Sequence, residues 1–482
     1  MTGSNFNHNI TFALLIAALV WFSSTETSNA RRDKHWRHSI GHSFDSKYHG
    51  GGQYQVNADK QNQGGGSKFN VLDYGAKGDG KSDDIKAFQA AWSDICKAGA
   101  STMIIPSGYK FLVGPMSFSG ANCHKDIIFQ LDGTILAPTN SKAWGSGLGQ
   151  WLEFTEVVGF TIQGKGTIDG GGSVWWTRSM LDSIDNNDKL VSLDKITKTE
   201  DQQVSNALDE KVSKTRPVAL RFVGGSDVTI TGITIQNSPQ FHLTFDSCDG
   251  VTVFDIRISS PADSPNTDGI HLSSSKNVII HHTDLACGDD CISIQTGCEN
   301  VLVHDVNCGP GHGISIGSLG IDGTTACVSN ITVKNVKIHD TMTGVRIKTW
   351  QGAEGMVRGV LFSNIQVSEV EIPIMIDQYY CDHSTCKNQT SAVSIANIAY
   401  ENIWGTYTIQ PVHLSCSDSK PCMDLKLSNI ELKPKANGHE MSQPFCWQAF
   451  GKLNSPIIPK IDCLQQSKSS NNMHLDNYQC AE

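Results

Sequence analysis

The stretch Gly288-Asp289-Asp290 sets two carboxylates side by side, and Gly311-His312-Gly313 follows with an imidazole between glycines. Adjacent carboxylates resist ionising together, so one is driven toward its protonated form while its neighbour stays charged, which is the division general acid–base chemistry needs. A third acid, Asp268, precedes Asp290 by 22 residues, and His312 follows Asp290 by the same interval. Each of Asp268, Asp290 and His312 stands two residues before an aliphatic position, at Ile270, Ile292 and Ile314. Arg346 and Lys348, alternating with Val345 and Ile347, add two cations. Such a set suits proton transfer on a carboxylate-bearing substrate. Asp289, Asp290 and His312 are also possible ligands of a divalent cation, a use that the nearby cations oppose. Taken singly, an Asp before Gly is an ordinary turn residue and Gly-His-Gly a tight corner; the shared register is what points to a site.

The elements that must hold these residues show a repeat. "VTITGITI" begins at Val228, "VTVFDIRI" at Val251, "VIIHHTDL" at Val278, "VLVHDVNC" at Val301, "ITVKNVKI" at Ile331, "VLFSNIQV" at Val360 and "LKLSNIEL" at Leu425. Through Val360 the starts fall 23, 27, 23, 30 and 29 residues apart. Each unit alternates β-branched with polar residues and breaks at Gly, Asn or Asp, as half-buried strands and their corners do. A second short strand recurs between units, at Ile270-His271-Leu272, Ile292-Ser293-Ile294, Ile314-Ser315-Ile316, Val345-Arg346-Ile347 and Ile374-Met375-Ile376. Strands at this period, with no helices between them, predict an all-β, right-handed parallel β-helix solenoid. Equivalent positions on successive coils of a solenoid stack about 4.8 Å apart. Asp268, Asp290 and His312 are therefore expected as a ladder on one outer face, with Asp289 at the same level and Arg346 and Lys348 further along. The segment Ser82 to Cys96 reads as a short N-terminal capping helix, with Ser82 as N-cap and Ile85, Phe88, Ala91, Trp92 and Ile95 as its apolar stripe.

At 482 residues, with 39% hydrophobic residues, the chain can bury a large core. Residues 11–22, "TFALLIAALVWF", form an apolar run that ends before "SNA", and 1–30 read as a signal peptide; a signal anchor is the alternative, since no Lys or Arg precedes the run. Residues 31–68 are rich in Gly, His, Lys and Gln and poor in aliphatics, so they read as a disordered arm or pro-segment. A single catalytic domain is expected over 69–482. All 15 cysteines follow Cys96 or include it, which suits disulfides in an oxidising compartment; the odd number leaves at least one unpaired. Cys381 with Cys386 and Cys416 with Cys422 look like loop staples, zinc sites being the rival. Sequons at Asn330 and Asn388 agree with export. The net charge of −10, with a basic arm and an acidic body, argues against nucleic acid as a partner and requires a locally basic site for any polyanionic substrate.

"NTDG" at Asn266 to Gly269, "GDD" at Gly288 to Asp290, "GHG" at Gly311 to Gly313 and "RIK" at Arg346 to Lys348, in this order, resemble the four signature motifs of the polygalacturonases, glycoside hydrolase family 28, in their plant form. The resemblance runs from "FNVLDYGAKGDGKSDD" at Phe69 through "GTIDGGGSVWW" at Gly166 and "NSPQFHLTF" at Asn237 to the C-terminal cysteines. It implies hydrolysis of α-1,4 bonds between galacturonate units of pectin, with inversion. Asp289 would be the general acid, Asp268 and Asp290 would hold and activate water, and His312 would tune the acid and bind sugar. Arg346 and Lys348 would bind the substrate carboxylate, supported by Asn266. No metal or other cofactor is implied. The expected partner is homogalacturonan, met by a secreted, extracellular, cell-wall monomer that engages neither nucleic acid nor membrane.

A charged segment from Arg178 to Thr215 departs from the pattern and reads as a mobile loop or as a flap beside the cleft, leaving internal and chain-end cleavage both open. Other readings stay open as well: a calcium-dependent lyase, a rhamnogalacturonase, or a solenoid that binds pectin without cutting it.

Overall fold

The structure, a computed structural model, describes residues 66–144, 149–176, 216–382, 386–435 and 442–466. The expected signal peptide, the arm up to residue 65 and the charged segment at 178–215 lie outside these residues.

The chain winds as a right-handed parallel β-helix. One wall is an 11-stranded parallel sheet running from Met116–Ser119 to Phe445–Trp447, and the remaining paired strands join a 20-stranded network. Side-chain alternation makes the first wall two-sided. Phe118, Phe154, Phe222 and Phe245 stack inward with centroids 4.5, 5.2 and 5.2 Å apart. Leu272, Ile294, Ile316, Ile347, Ile376 and Leu414 continue that column in register. The residues one step along each strand point out of the core. His271, Ser293, Ser315 and Arg346 form one outward row. The apolar column fixes this row, because a one-residue slip would exchange the core for the polar face.

Corners recur at left-handed residues. Asn277, Asn300 and Asn330 have φ of 55°, 57° and 54° and occupy equivalent places on successive coils. Their amides link the coils, Asn300 Nδ2 donating to Asn277 Oδ1 at 3.1 Å and Asn330 Nδ2 to Asn300 Oδ1 at 2.6 Å. Asn tolerates this backbone region, and here its side chain also serves the next rung.

Two expected boundaries move. The helix spans Ile85–Ile95 with Asp84 as N-cap, whereas Ser82 lies in the strand Asp79–Asp83 and donates its hydroxyl to Asp79 Oδ2 at 2.9 Å. Asp79 and Asp83 draw the chain into a turn before the helix, the Asp83 carboxylate taking the Ile85 amide at 3.0 Å. Of the expected stripe, Phe88, Ala91, Trp92 and Ile95 are buried. Trp92 meets Phe118, Phe154 and Phe160 edge-on at 5.2 to 5.9 Å. Lys68, assigned above to the arm, already belongs to the strand Lys68–Asn70, which pairs with Thr102–Ile105. Backbone pairing, which needs no apolar side chain, extends the body N-terminally.

Cys381–Cys386 and Cys416–Cys422 are disulfides, as are Cys96–Cys123, Cys291–Cys308 and Cys446–Cys463. Cys248, Cys287 and Cys298 are buried free thiols.

Candidate active site

The turn that enters each strand of the first wall carries the acids. Because Ile270, Ile292 and Ile314 are partners in the sheet, Asp268, Asp290 and His312 fall on successive coils at one level. The glycines of these motifs make close approach possible. Gly313 has φ of 86°, and a Cβ there would stand 2.0 Å from the Thr343 carbonyl oxygen; one on Gly288 would stand 1.9 Å from that of Ser264. Neither position accepts a side chain without moving its neighbour.

The ladder is less open than an outer face suggests. Asp290 is 1% exposed, Asp268 5%, Arg346 4% and Lys348 7%. Asp290 is the most heavily bonded of the acids. Its Oδ1 accepts from Arg346 Nη2 at 2.7 Å and from the Ser315 hydroxyl at 2.7 Å, and its Oδ2 accepts from Lys348 Nζ at 2.8 Å. Arg346 Nε also donates to Ser315 Oγ at 3.0 Å. Burial pushes the Asp290 pKa up, yet the Arg346 and Lys348 charges overcome it and hold the carboxyl below the usual carboxylate range. Lys348 Nζ stands 5.3 Å from the centroid of the Tyr380 ring, a cation–π distance. The two cations thus have Asp290 as their first partner, and among the described residues Arg346 Nη1 and further Lys348 N–H groups are left to offer.

Asp268 goes the other way. Burial raises its pKa to about 6, against the opposing hydrogen bond with His271 Nδ1 at 3.1 Å. His271 lies flat on Phe241, centroids 4.2 Å apart. Behind it His242, driven by burial to a pKa of about 4 and therefore neutral, contacts the Asp268 carbonyl through Nδ1 at 2.9 Å and Ser260 Oγ through Nε2 at 2.7 Å. Asp289 is the more open acid, its side chain 17% exposed, and its Oδ1 meets His312 Nδ1 at 2.9 Å. The His312 amide donates to the Asp289 carbonyl at 2.7 Å, locking the two turns together. Asn266 has φ of 51° and accepts from Arg216 Nη2 through Oδ1 at 3.0 Å.

All seven residues singled out in the sequence therefore belong to one patch. The expectation that adjacent carboxylates would drive one another's pKa values apart is corrected: the separated pair is Asp268 and Asp290, which are not adjacent in the chain, the first raised by burial and the second lowered by its cations. Asp289, Asp290 and His312 do bring possible ligand atoms within 4.8 Å of one another. Both Asp290 oxygens are already taken by cations, however, which weakens that donor set for a metal. His271 and Ser315 were missed, although both lie in the outward row that contains Arg346, so the alternation carried their signal. Arg216 and Tyr380 had none, since neither stands in the repeat that revealed the ladder.

The family description "Glycosyl hydrolases family 28" matches residues 96–208 and 202–444. A polygalacturonase of Cryptomeria japonica is 42% identical over 401 residues, covering 83% of this chain and 73% of that protein. A polygalacturonase of Persea americana is 38% identical, covering 76% and 73%. Among solved structures, the polygalacturonase of Erwinia carotovora superposes with a TM-score of 0.62 at 23% identity, covering 82% of this chain and 98% of that one. The endo-xylogalacturonan hydrolase of Aspergillus tubingensis gives 0.63 at 21% identity, covering 78% and 95%. Fold and acid cluster together define a β-helical glycoside hydrolase. The chain belongs to glycoside hydrolase family 28.

Proposed function

We propose that this enzyme is a secreted polygalacturonase that hydrolyses α-1,4-galacturonosyl bonds of homogalacturonan in the cell wall by single displacement with inversion. The observation that carries the reading is the division among three neighbouring acids: Asp290 is held ionised by Arg346 and Lys348, Asp268 is driven by burial to a pKa of about 6, and Asp289 is left accessible beside His312. In this scheme Asp289 protonates the departing glycosidic oxygen. Asp290, the acid that remains charged, orients and deprotonates the water with Asp268 beside it, and His312 holds the Asp289 carboxyl in place. Arg346 and Lys348 keep Asp290 ionised and turn their remaining N–H groups to a substrate carboxylate. Below pH of about 6 the Asp268 carboxyl carries a proton and cannot help to take one from the water, so its contribution to kcat/KM should be lost as the pH falls through that value.

Relatives named polygalacturonase, 42% and 38% identical, support the substrate. Among the described residues no helix is long and apolar enough to cross a membrane. The test is incubation with de-esterified homogalacturonan, with reducing ends counted, products sized and the first-formed anomer read by NMR. A β-anomer at early times is expected for an inverted α-bond. An α-anomer would overturn the single displacement, unsaturated sugar ends would establish a lyase, and binding without new reducing ends would establish a non-catalytic solenoid. Product sizes separate internal from chain-end cleavage.

A further inference from the structure

The cations paired with Asp290 all lie on one side of the acids. Along the solenoid axis, Asp268 and Asp290 occupy neighbouring coils, and the strand bearing Arg346 and Lys348 follows two coils after Asp290. On the opposite side stands Arg216, just before the strand Val218–Val223, which lies two coils before the strand that follows Asp268. Its side chain reaches back across those coils. Nη1 donates to the Pro265 carbonyl at 2.5 Å and Nη2 to Asn266 Oδ1 at 3.0 Å, two residues from Asp268. Both partners are neutral acceptors.

Among the described residues Arg216 forms no ion pair. The next arginine in the chain differs: Arg221 is neutralised by Asp246 at 2.8 Å and Glu153 at 3.9 Å. Burial lowers the Arg216 pKa, while the Asp289 charge opposes the fall, which places the guanidinium within the field of the acid cluster. A half-buried cation whose hydrogen bonds go only to neutral groups lacks the counter-charge that usually accompanies burial. An anion arriving in the cleft would supply it. Two neutral acceptors hold the planar fork in place beforehand, and the remaining N–H groups stay available for a carboxylate.

We propose that Arg216 is a specificity-determining residue that binds the carboxylate of the uronic acid unit on the Asp268 side of the scissile bond. The polysaccharide would then lie along the axis with cations on both sides of the acids: Arg216 at one end, Arg346 and Lys348 at the other. This rests on the polygalacturonase reading and adds to it a site that selects the free acid over its methyl ester at that unit.

The test uses the full chain carrying Asp289→Asn, so that substrate is bound and not consumed, with calorimetric titration of a short oligogalacturonide and of its fully methyl-esterified form. Adding Arg216→Gln should weaken the acid form roughly ten- to a hundredfold, the loss of a hydrogen bond to a charged group, and leave the ester form nearly unchanged. Arg216→Lys keeps the charge and should retain most of the preference for the acid. Equal weakening of both forms would make Arg216 a positioning residue for the Asn266 turn and overturn the proposal, as would no weakening of either. If Arg216→Gln does not fold, Arg216→Met takes its place, with the same selective weakening of the acid form expected and equal weakening of both forms overturning the proposal. Wild-type enzyme that releases reducing ends, together with Arg216 variants of unchanged preference, sinks this inference alone; wild-type enzyme that neither binds nor cuts galacturonan sinks both.

Discussion

At the scale of single residues, the site depends on where each carboxyl's proton resides. Asp289→Asn keeps the shape and the His312 contact but has no proton to give, so kcat should fall by about 10²–10⁴, the usual contribution of a general acid, with the melting temperature unchanged. Lys348→Ala has a different effect. Lys348 and Asp290 are both nearly inaccessible, with side chains 8% and 2% exposed, so removing the cation leaves a buried charge. The expected loss of stability is about 3–5 kcal/mol, read from urea unfolding. The sign with pH follows from the lowered pKa of Asp290: its ion pairs stabilise the fold above the unfolded carboxyl value of about 3.9, and that stabilisation disappears as the pH falls through the lower folded value. The difference between wild type and Lys348→Ala should therefore shrink on acidification. A difference constant from neutral pH into strong acid would show that the pair does not hold Asp290.

At the scale of elements, the corners matter as much as the strands. Asn300 combines a left-handed backbone with a side chain bonded to the coils on either side of it. Asn300→Val should cost about 1–3 kcal/mol from backbone strain, together with the lost ladder contacts. Asn300→Gly relieves the strain and keeps only the second loss, so it should unfold at a urea concentration between those of wild type and the valine variant. Equal midpoints for the two variants would mean that backbone strain contributes nothing there. The corner lies on the 20-stranded network, away from the wall that carries the acids, so neither change should alter KM.

At the scale of the whole molecule, the ordered body carries both the fold and the acid cluster. The body's first described strand begins at Lys68. Deleting residues 31–63 should leave the melting temperature and kcat/KM as they are, since that composition offers no apolar face to bury. A fall of many degrees would show that the arm packs on the solenoid. The cut must stop short of Lys68, whose strand pairs with Thr102–Ile105.

The fold was legible because a solenoid repeats its own physics: every coil must bury one side of each strand and turn at a residue that tolerates the corner, so period, alternation and Asn or Gly recur in the linear chain. The same periodicity placed Asp268, Asp289, Asp290 and His312 at one level with Arg346 and Lys348 further along, and the motif resemblance added Asn266. Chain order could not decide who pairs with whom across coils. That Asp290 takes both cations, that His271 rather than His312 reaches Asp268, and that Arg216 crosses two coils to Asn266 depend on side-chain reach between strands far apart in sequence. The pKa values followed the same division. Sequence showed that acids were adjacent, but burial and ion pairing set which of them holds a proton, and both are properties of the packed wall.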